Sequence, residues 1–417
     1  MVRPRKRPMV AIVNGLVNPI PPVKGGGPQI VIWNTCRELG NTAFDWRVLT
    51  LWDEQIDHCD FDRDRFLQVR PTEMERKFVT FTRFLPYRLI KSVFGVVRPD
   101  HLLLNLALVK RLKRLDPDLI IVHDSYSLTH YCHLIFPNKK IILYHHNSKL
   151  HEDLSKTGWN RMIKASNAGI IAICKNAFEL TDYFFQAKPI NRWVILNGVD
   201  SSLTEEVSQE NKTDFQQKIG ITPTEFVFLY VGRINSIKGL DLLVESFSEV
   251  VAETKVPVKL VMVGSSSMDE DGSVDFEQKL RARANEISPG KVIFTGFVPN
   301  DQLADYYSIS DCGVLPTHLL EGNSLFLMEC LCAGVPVIAT RKGGVPEVVR
   351  EGLDGYLIEE DDLAADLTTS MLRMINERKA WQTKKTEIAA AARERFNYQR
   401  VAQEFIQVVE TVLDYAA

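Results

Sequence analysis

Short apolar runs alternate with longer amphipathic stretches from end to end of this sequence, and no other feature constrains its fold as much. A short run bounded by turn residues forms a buried strand, and the amphipathic stretch after it forms a covering helix. Repetition of the two builds βαβ units around parallel sheets. The pattern predicts strands at Met9–Val13, Trp46–Leu51, Leu119–Val122, Lys140–Tyr144, Gly169–Ile173 and Trp193–Leu196, with a helix over Pro28–Leu39. The last of these strands ends in Asn197-Gly198, a strong turn dipeptide. Ser201–Asp214 is polar and free of apolar periodicity, and reads as a linker. Beyond it the pattern restarts. Strands are expected at Glu225–Val231, Val258–Val263, Lys291–Thr295, Cys312–Leu315 and Val337–Ala339. Helices are expected at Gly239–Val251, Phe276–Ala284, Asp301–Ser308, Ser324–Cys332 and Val345–Val349. Ala365–Ala417 reads as helical throughout, with Val401, Phe405, Val408, Val409 and Leu413 at helical spacing. The expected class is α/β, two doubly wound parallel-sheet halves at residues 1–204 and 205–395, followed by a helix over 396–417.

Length and composition narrow the function classes. At roughly 150 residues per domain the chain holds two to three domains, and a chain of this size needs no disulfide staples. Its 50 Lys plus Arg against 53 Asp plus Glu give a net charge of -3, which argues against a globally basic nucleic-acid binder. The 45% hydrophobic and 25% charged content excludes disorder as the main state. No apolar run approaches the ~20 residues that span a bilayer. The seven cysteines are scattered without a C-x-x-C pair, and Cys330 and Cys332 flank one residue of an apolar run. We expect free thiols in a reducing, cytoplasmic setting, with no zinc site. Arg3, Arg5, Lys6 and Arg7 before Met9 to Val17 imitate a signal peptide. Asn14 and Gly15 interrupt the apolar stretch, and Pro19, Pro21 and Pro22 follow without a cleavage pattern, so a first strand behind a charged tag is expected.

The net charge averages over unlike parts. Val79–Leu115 carries Arg83, Arg88, Lys91, Arg98, Lys110, Arg111, Lys113 and Arg114 against Asp100 alone, interleaved with Phe81, Phe84, Leu85, Tyr87 and Phe94. Such a stretch lies on an anionic membrane surface or grips an acidic acceptor. Equally, it reads as a pair of solvated helices whose Lys and Arg stems cover apolar surface.

Four clusters have the composition of a site. Gly25-Gly26-Gly27 sits between the first strand and a helix, where glycines admit a close ligand and the helix N-terminus offers free N–H groups. It matches neither G-x-G-x-x-G nor a Walker A loop, and a flexible turn explains it as well. Gly232-Arg233 and Lys238-Gly239 place two cations just after the first strand of the second half. There they would neutralise a diphosphate and stabilise it as a leaving group, although taken alone they read equally well as surface charges in a loop. Glu321-Gly322-Asn323-Ser324 and Glu329 put two carboxylates about an expected helix start, one of them among Leu327, Met328, Cys330 and Leu331. His123 and His145-His146 follow two different strands, where imidazoles point into the crevice of an open sheet. They lack metal-ligand spacing.

The order of these motifs resembles one family. Val231-Gly232-Arg233 with Lys238-Gly239, Val263-Gly264, Phe294-Thr295-Gly296-Phe297-Val298, Glu321-x7-Glu329, Ala333-Gly334-Val335-Pro336 and Gly343-Gly344-Val345-Pro346-Glu347 occur as in family-4 glycosyltransferases. The Gly25–Gly27 loop and Asn197-Gly198-Val199-Asp200 look like the family's too. The resemblance is specific between Val231 and Ile358 and weak over Asp53–Pro117. It implies a GT-B architecture, two Rossmann-like domains facing across a cleft with the terminal helix, 396–417, crossing back to the first domain, and metal-independent transfer of a hexose-type sugar from a nucleotide-diphosphate sugar with retention. The donor would be a UDP- or GDP-sugar, and the acceptor a glycan or lipid-linked molecule of the cell envelope.

Carried onto this chain, Arg233 and Lys238 would bind the diphosphate, Glu329 the ribose, and Glu321 the donor sugar near its reacting carbon. Gly232, Gly264 and Val298 would line the donor, and Ser324, Leu325 and Phe326 would meet phosphate and sugar through their backbone. Gly25, Gly26 and Gly27 would close over it, and His146 would touch the sugar, with His145 as the alternative register. The chain departs from the common E-G-F-G at Glu321-Gly322-Asn323-Ser324, which keeps a small, polar helix start. Two further readings fit the same resemblance: a glycosyltransferase-like coat or structural protein, and a nucleotide-sugar epimerase.

Overall fold

A computed structural model describes every residue of the chain except 1–6, 16–17, 24–25, 76, 78–98, 148–155, 186–187, 190, 206, 267–272 and 415–417. It resolves into two units, one formed by Met1–Leu196 with Tyr398–Ala417 and the other by Asn197–Asn397.

The first unit is built on seven strands: β1 (Met9–Asn14), β2 (Asp45–Leu51), β3 (Phe66–Val69), β4 (Leu119–His123), β5 (Lys140–His145), β6 (Gly169–Ala172) and β7 (Arg192–Val194). All pair in parallel in the order β3-β2-β1-β4-β5-β6-β7. Helices on both faces leave the central strands buried along their length, which is why they read as unbroken apolar runs rather than alternating ones. Ala11, Val13, Leu49, Leu108, Leu112, Ile120, Val122 and Ile141 form one core cluster, and Leu143, Trp159, Ile170 and Phe178 belong to another. The chain reverses its direction of strand addition between β1 and β4. In open sheets of this kind, that switch point is where ligands bind, at the C-terminal strand ends.

The second unit repeats the plan with six parallel strands: β8 (Phe226–Val231), β9 (Val258–Val263), β10 (Val292–Gly296), β11 (Cys312–Leu315), β12 (Val337–Thr340) and β13 (Gly355–Ile358). Their order is β10-β9-β8-β11-β12-β13, and the switch point lies between β8 and β11. Two doubly wound parallel-sheet units make the fold α/β, as the apolar rhythm predicts.

Three expectations need correction. The polar stretch Ser201–Asp214 is not an unstructured linker: it holds a 3-10 turn over Ser201–Thr204 and the first part of a helix, Gln209–Lys218. The Ser208 hydroxyl caps that helix by accepting from the Asn211 N–H at 3.2 Å, and none of the helix's residues is buried. An apolar pattern has nothing to register in such a helix. The first unit ends at Leu196 rather than at residue 204, because the chain after it is tied into the second unit. Val199 N–H donates to Phe396 O at 2.7 Å, and Asn197 is bound by Asn323. Finally, the C-terminal stretch is three helices, Leu363–Asn376, Arg378–Arg395 and Tyr398–Leu413, broken at Glu377 and at Phe396-Asn397. The last belongs to the first unit, packing on the helix Gly27–Arg37.

All seven cysteines are free, six of them buried. Most of the basic stretch, residues 79–98, falls outside the described residues, as do Gly25 and Val17; its remainder is the helix Pro99–Leu115. Among the described residues no helix is long and apolar enough to cross a membrane.

Candidate functional site

In the second unit the chemistry gathers at the C-terminal ends of β8 and β11. Strand β8 ends at Val231, and the backbone then passes through Gly232 and Arg233, fixed by Gly232 N–H to Val263 O at 3.0 Å and Ile234 N–H to Ser265 O at 3.1 Å. The buried Tyr230 hydroxyl donates to Arg233 O at 2.8 Å, so the residue carrying the exposed guanidinium is held from beneath. Burial first, then the charge of Glu321, pushes the Tyr230 phenol up and keeps it a donor.

Lys238 closes the short 3-10 turn Ser236–Lys238. The loop after β11 anchors that turn, with His318 N–H (3.1 Å) and the Thr317 hydroxyl (3.3 Å) both donating to Ile237 O. Lys238 Nζ meets Glu321 Oε1 directly, with only 18% and 13% of the two side chains exposed. Glu321 itself is gripped through its backbone, its carbonyl accepting from Gly344 N–H at 2.6 Å. A cation and a carboxylate 83 residues apart in sequence are thus joined as one ion pair.

Glu321 leads into the helix Leu325–Cys332, capped by the Ser324 hydroxyl, which accepts from Leu327 N–H at 3.5 Å. The side chain of Asn323 turns away from the helix. Its Oδ1 accepts the Asn197 N–H at 2.9 Å, and its carbonyl accepts from Asn197 Nδ2 at 3.4 Å. The departure from E-G-F-G therefore fastens this loop to the Asn197-Gly198 turn. Phe326 is buried, as is every other residue from there to Cys332, and Glu329 lies among them. Its Oε2 accepts from the Tyr307 hydroxyl at 2.5 Å. Burial raises the Glu329 carboxyl above its ordinary range; the Tyr307 bond opposes this and the charge of Asp200 adds to it. Gly264 and Val298 follow β9 and β10 at the same end of the sheet, and Gly264 N–H donates to Gly296 O at 2.9 Å. Gly232, Arg233 and Lys238 follow β8, Gly264 follows β9, Val298 follows β10, and Glu321 follows β11, ahead of the helix start at Ser324, Leu325 and Phe326 and of Glu329 one turn further on.

A second polar cluster occupies the switch point of the first unit. Asn14 pairs with His123, and His123 with Tyr144, across β1, β4 and β5. Gly15 follows Asn14, its N–H bound to His123 O at 3.1 Å. A Cβ at Gly15 would lie 2.4 Å from that oxygen and 2.3 Å from the Ser125 Cβ, so only glycine lets the two strand ends approach. His123 Nδ1 and His146 Nε2 are 2.7 Å apart, and both rings stack with Tyr144. His145 points elsewhere, its Nδ1 lying 3.2 Å from both Asp124 Oδ1 and the Tyr126 hydroxyl. The alternation of a strand puts Tyr144 and His146 on one side and His145 on the other.

Burial holds the His123 imidazole well below its ordinary pKa, with the neighbouring His146 adding to the effect. Burial also lowers His146, to about 4, against the pull of Asp124. Both are neutral near pH 7. Burial pushes the Asp124 carboxyl up, but the His145 hydrogen bond, the two histidines and the His146 N–H donating at 2.7 Å bring it below its ordinary value. Gly26 (φ 105) precedes the helix Gly27–Arg37, which begins one residue before the Pro28 of the sequence reading.

Sequence reasoning missed Asp124, Tyr126, Tyr144, Tyr230 and Tyr307. Asp124 adjoins His123 at a strand end and was within reach of the same argument. The tyrosines carry no local signal, because each finds its partner through the fold.

The profile of the glycosyl transferases group 1 family matches residues 211–395. The lipopolysaccharide 1,2-N-acetylglucosaminetransferase of Salmonella typhimurium is 24% identical over 304 residues, 72% of this chain and 74% of that protein. Sucrose-phosphate synthase from Thermosynechococcus elongatus has the same fold, with a TM-score of 0.76 at 17% identity over 98% of this chain and 100% of that one. The Anabaena protein HepE in complex with UDP-glucose gives a TM-score of 0.70 at 18% identity, covering 98% of this chain and 100% of its own. The fold is GT-B.

Proposed function

We propose that this chain, whose residues 211–395 belong to the glycosyl transferases group 1, moves a hexose-type sugar from a UDP- or GDP-sugar to a glycan or lipid-linked acceptor, with retention of configuration. The observation that carries the reading is the paired Lys238 and Glu321 beside Arg233, at the C-terminal ends of β8 and β11. Arg233 and Lys238 supply two positive charges for a diphosphate and stabilise it as it departs. Glu321 takes the donor sugar near its reacting carbon, and the N–H groups of Ser324, Leu325 and Phe326 at the helix start meet phosphate and sugar. Glu329 accepts from the ribose hydroxyls. Gly232, Gly264 and Val298 line the nucleotide.

The two cations do the work for which other transferases use a metal, so the reaction proceeds without one. Displacement takes place on the front face of the sugar, with the departing phosphate accepting the acceptor's proton. A relative that acts on lipopolysaccharide and a fold neighbour that holds UDP-glucose support an envelope polysaccharide role and a nucleotide-sugar donor. The basic stretch 79–115 would hold the protein to the anionic inner face of the membrane.

Thermal shift against a panel of UDP- and GDP-sugars tests the reading. A matching donor raises the melting temperature of the wild type, and Arg233→Ala abolishes most of that rise. An equal rise in Arg233→Ala refutes the assignment.

A further inference from the structure

Glu329 is an uncomfortable residue for a purely structural carboxylate. It sits in a helix whose other residues from Phe326 to Cys332 are all buried, and keeps 9% of its own surface. An ionised carboxylate has room for about four hydrogen bonds and is costly to bury without them. Among the described residues it receives one, from the Tyr307 hydroxyl to Oε2. Its other electrostatic neighbour, Asp200, repels it.

Tyr307 is itself wholly buried, on the helix Leu303–Ile309, and burial holds its phenol well above the ordinary value, so it can only donate. One oxygen of Glu329 is therefore committed, and the other has no donor among the described residues.

We propose that Tyr307 is a positioning residue for the nucleotide site. It clamps Oε2 of Glu329, fixing the side chain and keeping Oε1 as the acceptor for the ribose hydroxyls of the donor. This rests on the donor reading given above and adds to it a residue that touches no substrate. Its consequence is specific. Tyr307 contributes to discrimination between ribose and a sugar lacking hydroxyls, and not to affinity for base or diphosphate. A Glu329 without its clamp samples other rotamers and is more readily protonated, and a protonated carboxyl loses acceptor strength.

The experiment compares UDP and GDP with their 2′,3′-dideoxy forms by calorimetric titration, in wild type, Tyr307→Phe, Glu329→Gln and the double variant. A hydrogen bond to a charged group supports a wild-type preference for the ribose form of about tenfold or more. In Tyr307→Phe that preference falls to about threefold or less while the affinity for the dideoxy form is unchanged. Adding Tyr307→Phe to Glu329→Gln changes the preference no further. As a second readout, weakening of UDP or GDP binding on acidification begins at higher pH in Tyr307→Phe. The groups that bear on Glu329 in that titration are Tyr307 and Asp200; the adjacent Cys330 and Cys332 thiols are kept protonated, and so uncharged, by burial.

A Tyr307→Phe protein that melts lower yet keeps the full ribose preference overturns the proposal, leaving Tyr307 a packing residue. So does a wild type that binds both forms alike. A wild type that binds no nucleotide at all overturns the donor reading first, and this inference with it.

Discussion

Replacing Lys238 with Met tests whether the site's charges are held as a pair. Lys238 and Glu321 touch, with 18% and 13% of their side chains exposed, so neither is a freely solvated surface ion. At roughly 4 Å and an effective dielectric of about 20, their attraction is about 4 kcal/mol, partly offset by the desolvation of both. Lys238→Met removes the attraction but leaves Glu321 in place. The expected loss is about 2–4 kcal/mol, between the ~1 kcal/mol or less of an exposed pair and the ~3–5 kcal/mol of a fully buried one. At about 2–4 °C per kcal/mol for a unit of this size, the ligand-free protein should melt roughly 4–16 °C lower. Lys238→Met/Glu321→Gln removes the stranded charge as well, and should recover more than half of the loss. Scanning calorimetry of the wild type, both single variants and the double variant closes the cycle. Additive losses, or a Lys238→Met protein within 1 °C of wild type, would refute the reasoning.

Three other perturbations test the same structural argument. Gly343 has φ 62, and a Cβ there would lie 2.1 Å from Glu321 O, so Gly343→Ala displaces Glu321. Transfer activity with the donor found by thermal shift should fall by about 100-fold, and full activity would show that the position of Glu321 does not matter. Asp354 is fully buried and binds Arg350 through Nε (2.8 Å) and Nη2 (2.6 Å), and Arg395 at 3.2 Å. Asp354→Ala removes the shared carboxylate, but Arg395 keeps Glu347 O and Val348 O as acceptors and Arg350 is 39% exposed, so the cost in urea unfolding should be about 1–3 kcal/mol, with unchanged stability as the refuting result. His123 and His146 have folded pKa values depressed below the ordinary 6.5. The unfolded chain therefore binds more protons once the pH falls below about 6.5, and the stability present above that pH is lost toward pH 4. The urea midpoint should drop over that window and drop less in His123→Gln/His146→Gln; an equal drop would move the cause to other groups.

How much of this was legible beforehand follows from where each signal resides. Apolar runs such as Val258–Val263 and Cys312–Leu315 announce strands because a parallel strand covered on both faces has no polar side to interrupt it. The helix Gln209–Lys218 buries nothing, so its only signal is the Ser208 cap, and the apolar rhythm passes over it. The C-terminal stretch is continuous in helical propensity, and its breaks at Glu377 and Asn397 come from tertiary attachments, including the pairing of Val199 with Asn397.

The site divides along the same line. That Arg233, Lys238, Glu321 and Glu329 belong together could be read from motif order, since each follows or flanks a recognisable strand or helix. Which groups they meet could not. Lys238 reaches Glu321, Tyr307 reaches Glu329, and Asn197 reaches Asn323 across separations of 83, 22 and 126 residues. The sequence by itself determined the α/β class, eleven of the thirteen described strands (β3 and β13 were missed) and the strand ends at which charge collects, because strand periodicity and the switch-point rule act locally. Only the tertiary structure decided the pairing of those charges, the burial that sets the protonation of His123, His146 and Glu329, and the side of β5 on which each histidine stands. Those properties depend on distance and dielectric, which arise only once remote segments are packed together.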